Sequence, residues 1–256
     1  MRHTGNTMLI TGGTSGIGRA LAERFHAAGN HVIIAGRRQA LLDEIVAANP
    51  GMAGYAADMD DAAGIEDLTS RVIADHPALN VVIANAGIMR TEKAGERRDL
   101  KDAEETITTN LLGPIRLIDA LVDHLARQAD AAIVTVSSGL AFVPLAATPT
   151  YCATKAAIHS YTLSLRHALA GKVDLIELIP PAVQTDLTPG QSTREGYMPL
   201  KDFMDEVMAL FAEVPTPVEI RVANVAFLRD AEAEGRLDAT FAALNANYER
   251  VTGISA

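Results

Sequence analysis

The sequence predicts one α/β domain built on a doubly wound parallel sheet of six or seven strands, and three observations carry that expectation. Short apolar runs alternate along the chain with longer amphipathic stretches, the pattern of buried strands joined by crossover helices. A glycine-rich turn, TGGTSGIG, follows the first apolar run and leads into the first helix. The 256 residues, 48% hydrophobic and 21% charged, suffice for one sizeable core, and no repeat, low-complexity segment or linker divides them.

Thr7 to Thr11 is a β-prone run that enters the glycine turn, and Arg19 to Ala28 is an amphipathic helix ending at Gly29. Gly12, Gly16 and Gly18 form a GxxxGxG pattern. Such spacing suits a tight turn, a close approach of backbone to pyrophosphate and close packing of helix on strand, with phosphate at the helix N-terminus. Thr14, Ser15 and Ile17 lie in the same cradle. His31 to Ala35 is the second strand. Its end, where a carboxylate would bond the ribose hydroxyls of NAD, reads Gly36-Arg37-Arg38. An acid there would repel a 2′-phosphate, whereas Arg37 can grip one through its planar fork, with Ser15 helping, so NADP(H) is favoured over NAD(H). The other reading is that Arg37 and Arg38 simply open the next helix.

Gln39 to Asn49 is that helix, closed by Pro50 and Gly51, and Met52 to Ala57 is a weak third strand leading to Asp58 and Met59. Asp58 either accepts from an adenine amino group at the carboxyl end of the sheet or caps the following helix. Ile65 to His76 is the third helix, stopped by Pro77. Val81 to Ala84 is a buried strand running into Asn85, Ala86 and Gly87, small residues that let a flat ring and its ribose lie against the backbone. Met89 to Lys101 is charged and irregular. Asp102 to Leu112 is helical and contains Asn110, and Gly113-Pro114 interrupts it, either freeing backbone groups or simply breaking the helix.

Ala131 to Val136 is a fifth strand that delivers Ser137 and Ser138 at its end, and Val173 to Ile179 is a sixth. Between them Tyr151 and Lys155 stand four apart in a run free of Gly and Pro until Gly171, so both project from one face of a helix. A tyrosine hydroxyl titrates near ~10, and lowering it by three units requires roughly 4 kcal/mol. One ammonium at about 5 Å, at an effective dielectric of ~20, supplies roughly 3 kcal/mol of that. Tyr151 would then serve as a general acid or base. Residues 187–215 are expected to form a mobile lid, and the tail from Gly235 to Tyr248 has helical spacing.

The net charge of −10 and the absence of any large basic cluster argue against nucleic-acid binding, with Arg97, Arg98 and Lys101 read as solvated surface. The single cysteine, Cys152, excludes an internal disulfide and fits a reducing compartment, so the cytoplasm is the expected location. The seven scattered histidines lack ligand spacing, so no metal site is expected. No apolar run is long enough for a leader or a membrane span.

With Thr11-Gly12-x-x-x-Gly16-Ile17-Gly18, Asn85-Ala86-Gly87, Asn110, Ser138 and Tyr151-x-x-x-Lys155 in order, the chain resembles the short-chain dehydrogenase/reductase family over roughly residues 7–190. In the stretches ANAGI, NLLGPIRLIDAL, SSGLAFVPLAATPTYCATKAAIHSYTLSLR and ELIPPAVQT it is similar to a bacterial subgroup named for teichoic-acid D-alanylation, a name that gives no substrate. The resemblance implies a Rossmann fold and an interconversion of carbonyl and alcohol, for which Arg37 and Arg38 favour NADP(H). It also implies roles: Ser138 holds the substrate oxygen, Tyr151 exchanges the proton, Lys155 holds the nicotinamide ribose and lowers the tyrosine pKa, and Asn110 anchors a water relay. Where that family has Pro-Gly after the sixth strand, this chain has Pro180-Pro181-Ala182, while Val183 and Thr185 still fall where the nicotinamide carboxamide would lie. The usual last strand is not evident. A redox-sensing protein that only binds the cofactor is the alternative. The apolar Leu140, Phe142, Val143, Leu145, Met198, Leu200 and Phe203 either line the pocket of an uncharged, largely hydrophobic carbonyl substrate or simply pack the lid onto the body. The long helix from Tyr151, apolar on most of its circumference, predicts a homodimer or homotetramer.

Overall fold

Alternation within the apolar runs decides which layer each side chain joins. In β1 (Thr7–Thr11), Met8 and Ile10 point to one face of the sheet and Leu9 to the other, and all three are fully buried. The computed structural model describes residues 1–254 and shows one parallel sheet of seven strands. Along the chain come α1 (Gly16–Ala27), β2 (His31–Gly36), α2 (Gln39–Ala48), β3 (Ala53–Ala56), α3 (Ala62–Asp75) and β4 (Leu79–Ala84). Then follow α4 (Lys101–Ile107), α5 (Gly113–Leu125), β5 (Ala132–Val136), α6 (Pro149–Ala168), β6 (Asp174–Leu178), α7 (Leu200–Phe211), β7 (Glu219–Ile220), α8 (Ala226–Arg229) and α9 (Leu237–Thr252).

The strand order is β3-β2-β1-β4-β5-β6-β7. Chain order therefore reverses between β1 and β4, and the loops leaving their carboxyl ends diverge into a crevice where ligands of such sheets bind. One core layer packs α1, α2 and α7 on the sheet; the other packs α3 and α5 on its opposite face.

Three expectations change. The seventh strand exists, but it is two residues long, Glu219↔Glu177 and Ile220↔Leu178, too short to leave an alternating pattern in the sequence. The expected lid divides into two parts. Residues 187–199 border the crevice, whereas Leu200–Phe211 is a core helix in which Phe203, Met204, Val207 and Phe211 are buried and Phe211 meets Phe25 edge-on at 5.2 Å. The helix carrying Asn110 is not broken at Gly113-Pro114. It passes from α4 to α5 through one wide turn, Thr108–Leu112, in which the Gly113 amide bonds the Thr108 carbonyl five residues back. Pro114 has no N–H for the Asn110 carbonyl, and its ring would crowd that carbonyl in a regular helix, so the turn widens where the proline demands it.

Candidate active site

At the end of β1, Gly12 has φ +68°, and a Cβ there would lie 2.9 Å from the Ala86 Cα. Gly18 is tighter still: a Cβ would meet the Asn85 Nδ2 and the Gly12 carbonyl oxygen at 2.3 Å. These two positions bring the turn and the start of α1 against the loop after β4, which no larger residue permits. Thr11, which opens the glycine motif, braces that junction. Its hydroxyl accepts from the Asn85 and Ala86 amides at 3.1 and 3.2 Å, and its carbonyl accepts from Asn85 Nδ2 at 3.0 Å. A hydroxyl at the end of an otherwise apolar strand was the available signal. Asn85 is thus a brace of the turn as well as part of the wall.

The first-turn amides of α1 receive no bond from the Ser15 side chain at the capping position, and no acid occupies that turn, so the helix end is open to an anion. Around it lies a cavity of about 410 Å³. It is lined by Gly12, Thr14, Ser15, Gly16, Ile17, Gly18, Arg37, Arg38, Asp58, Met59, Asn85, Ala86, Gly87, Ser138, Tyr151, Lys155, Pro181, Val183 and Thr185. Arg38, rather than Arg37, is held by Ser15: its guanidinium donates to the Thr14 and Ser15 hydroxyls at 3.2 and 3.1 Å, and Arg37 lies alongside on the same wall. Asp58 does not cap α3. Asp61 does, accepting from the Ala63 amide at 3.0 Å, while Asp58 accepts from the Asp60 amide at 3.1 Å and faces the cavity. Gly113 allows α5 to approach this edge, since a Cβ would sit 2.8 Å from the Met59 carbonyl oxygen.

Ser138, Tyr151 and Lys155 converge on the far end of the cavity, all buried. The Lys155 Nζ donates to the Val136 carbonyl at 2.8 Å and lies 5.5 Å from the centre of the Tyr151 ring. Burial acts on the tyrosine against the charge of Lys155. Burial pushes the Tyr151 phenol well up, the neighbouring Ser138 hydroxyl pulls it partly back, and Cys152 adds to the rise. Burial also drops Lys155 to about 8. At neutral pH these shifts leave a protonated phenol beside a mostly charged ammonium. Asn110 stands behind Ile88, and its amide bonds that residue's backbone. Pro181 adopts no left-handed backbone, for among the described residues the only non-glycine at positive φ is Asp130. Gln191, which the sequence leaves unmarked, donates to the Val183 carbonyl at 2.8 Å and the Thr185 hydroxyl at 3.2 Å, tying residues 183–191 into one wall.

A second cavity, of about 240 Å³, opens from the same wall. Ser138 and Tyr151 line both. Of the expected rim, Leu140 and Leu145 are present, but Phe142, Val143, Met198, Leu200 and Phe203 are not. Val143 is fully buried; Met198, Leu200 and Phe203 belong to the core layer beneath the sheet; Phe142 turns to His159 and Arg229. Their place is taken by Met89, Leu187, Leu228 and the α9 residues Leu244, Tyr248 and Val251, one face of a helix at i, i+4, i+7. α9 is moored by Asn245, which accepts from the Ala146 amide at 2.7 Å and donates to the Pro144 carbonyl at 3.3 Å.

Among the described residues, no His, Cys, Asp and Glu gather in threes as a metal site, and no helix is long and apolar enough to cross a membrane. The cavity suits a dinucleotide by its glycine cradle and by Ser137, whose buried hydroxyl has no hydrogen-bond partner and lies in the cavity wall.

The family described as short chain dehydrogenase matches residues 6–196. Among curated proteins, the uncharacterized oxidoreductase DltE of Bacillus subtilis (strain 168) is 38% identical over 254 residues, covering 98% of this chain and 96% of that one. Among solved structures, a short chain dehydrogenase from Burkholderia cenocepacia J2315 in complex with NADP superposes with a TM-score of 0.80 at 22% identity, covering 94% of this chain and 99% of that one. A short chain dehydrogenase/reductase from Burkholderia phymatum in complex with NAD gives 0.79 at 22% identity, covering 93% and 96%.

Proposed function

The chain belongs to the short chain dehydrogenase family of oxidoreductases, and from that premise we propose that it interconverts a carbonyl and an alcohol with NADP(H), Tyr151 exchanging the proton. The observation that carries this reading is the shared wall. Ser138 and Tyr151 border both cavities, so a carbonyl oxygen in the smaller one meets two hydroxyls at the boundary with the larger. When bound, NADP(H) supplies the hydride. Ser138 then orients the carbonyl oxygen, and Tyr151, kept protonated by burial, donates to it as negative charge develops there. The Lys155 ammonium steadies the phenolate left behind, which regains its proton from solvent by a water relay that Asn110 would anchor.

For the cofactor, Gly12, Gly16, Ile17 and Gly18 would cradle the pyrophosphate; Asp58 and Met59 would border the adenine; Asn85, Ala86 and Gly87 would take the ribose; and Pro181, Val183 and Thr185 would take the carboxamide. Arg38, pre-held by Thr14 and Ser15, and Arg37 beside it would grip a 2′-phosphate, and β2 ends without an acid to repel it. The substrate is an uncharged, largely hydrophobic carbonyl compound, a reading supported by the leucines, Met89 and Val251 of the smaller cavity, where the cation Arg194 stands beside the acid Glu195. The protein works in the cytoplasm, where its one cysteine stays a thiol. It assembles as a homodimer or homotetramer through the outer face of α6, where the small Ala153, Ala156 and Ser160 and the exposed Leu163 allow close approach, with Ile107 of α4 exposed nearby.

A panel of aldehydes and ketones with NADPH, followed by reduced-nicotinamide absorbance, tests the reaction. Cofactor binding without any turnover would favour the sensing alternative. A monomer mass at micromolar concentration would refute the assembly.

A further inference from the structure

The helix that carries Tyr151 and Lys155 has no cap of its own. Thr148 occupies the capping position of α6, but its hydroxyl turns back to the Leu145 carbonyl, and Pro149 has no N–H to satisfy. The next amide, that of Thr150, is satisfied from 58 residues upstream by Glu92, whose Oε1 accepts from it at 3.2 Å. Glu92 Oε2 accepts from the Thr150 hydroxyl at 2.9 Å and from Arg98 Nη2 at 2.9 Å. The backbone joins in, the Glu92 amide donating to the Ala147 carbonyl at 2.9 Å. The carboxylate side chain is 4% exposed.

Burying a carboxylate is costly unless its lone pairs are met, and the positive end of a helix is a place where they are. The surrounding segment makes this anchor conspicuous. Residues 93–100 are all exposed or half-buried, yet Glu92 is drawn inward, and Arg98, expected as solvated surface, follows it. The same loop carries Met89 on the wall of the smaller cavity and Arg90 on that of the larger. Asn110 fixes its start at Ile88 and Glu92 fixes it again at Thr150, immediately before Tyr151.

We infer that Glu92 is a positioning residue for the reaction: by holding Thr150 it fixes the first turn of α6, and with it the Tyr151 hydroxyl, against Ser138. The inference rests on the carbonyl-reduction reading of this site. A displacement of ~1 Å at reacting groups costs about 100-fold in rate, so a lost anchor acts on turnover before it acts on binding.

The test compares Glu92→Ala, Glu92→Gln and Thr150→Val in the full chain with NADPH and a hydrophobic aldehyde. Glu92→Ala is expected to lower kcat by roughly 10- to 100-fold, with NADPH Kd within about twofold of the parent. Glu92→Gln, which still accepts from Thr150, should recover kcat to within about fivefold, and Thr150→Val, which keeps the amide bond and loses the hydroxyl bond, should fall between them. A Glu92→Ala kcat within twofold of the parent, or an equal loss of kcat and NADPH affinity, would overturn the inference. If Glu92→Ala does not fold, the other two variants decide. If the parent turns over no carbonyl, the reaction reading fails while the anchor is still tested by hydrogen exchange at the Cys152 amide, bonded to the Thr148 carbonyl at 3.1 Å. Exchange there should rise in Glu92→Ala and Thr150→Val and stay near the parent in Glu92→Gln; unchanged exchange in all three would sink the proposal.

Discussion

Asn110 grips Ile88 from both sides, its Oδ1 accepting from the Ile88 amide at 2.8 Å and its Nδ2 donating to the Ile88 carbonyl at 2.8 Å. A single side chain thereby substitutes for a strand partner at the point where β4 gives way to the loop between the two cavities. Asn110→Ala leaves both backbone groups without a partner, at a cost of about 1–3 kcal/mol each where they are shielded from water. The expected result is a Tm several degrees lower and a fall in kcat that exceeds any change in NADPH Kd. Unchanged thermal stability would contradict this role.

Arg38 is already oriented by two hydroxyls before any ligand arrives, so it has less freedom to lose on meeting a phosphate. Arg38→Ala should weaken NADPH by about 1–3 kcal/mol, and Arg37→Ala by less, with NADH almost unaffected in both. Calorimetric titration of the two cofactors checks it. A parent protein that prefers NADH would defeat the idea.

Lys155 offers a test through stability. Its pKa falls from 10.5 to about 8 on burial, so between those values the unfolded chain binds more protons than the folded one and stability rises with pH. At pH 7, below both values, the buried ammonium costs on the order of 3 kcal/mol by the same shift. Lys155→Met should therefore melt above the parent at pH 7, with the gap closing toward pH 10, while activity is lost. A variant that melts lower at pH 7 would show that the ammonium stabilises the fold.

The wall supplied by α9 sets the room beside Tyr151. Leu244→Trp should fill the smaller cavity, raising KM for bulky ketones at least tenfold while acetaldehyde-sized substrates and NADPH Kd change little. Equal effects on large and small substrates would place Leu244 outside the substrate's path.

How much of this was legible in the sequence follows the range of each interaction. Gly12 with Gly18, and Tyr151 with Lys155, are separated by six and four residues, so one turn and one helix face bring each pair together whatever the rest of the chain does. The parallel sheet was legible for a similar reason, because strands buried on both faces are apolar throughout. What stayed hidden depends on distant segments. Asn245 reaches Ala146 across 99 residues, so nothing local distinguishes a wall of the smaller cavity from any amphipathic tail. The apolar face of α7 reads equally as lid or core, and only its packing against Phe25 decides for core. The upward push on Tyr151 was hidden because burial is a property of the whole surroundings, whereas the sequence shows only the neighbouring charge of Lys155.

The two outer strands of the sheet are β3, four residues long, and β7, only two. A strand offers unpaired amides and carbonyls to whatever chain passes, and its hazard grows with its length and flatness. With rims this short, the protein presents almost no template on which a foreign strand could extend the sheet. Crowded or concentrated solutions should accordingly drive copies together through helix faces, giving closed, finite particles in place of fibres.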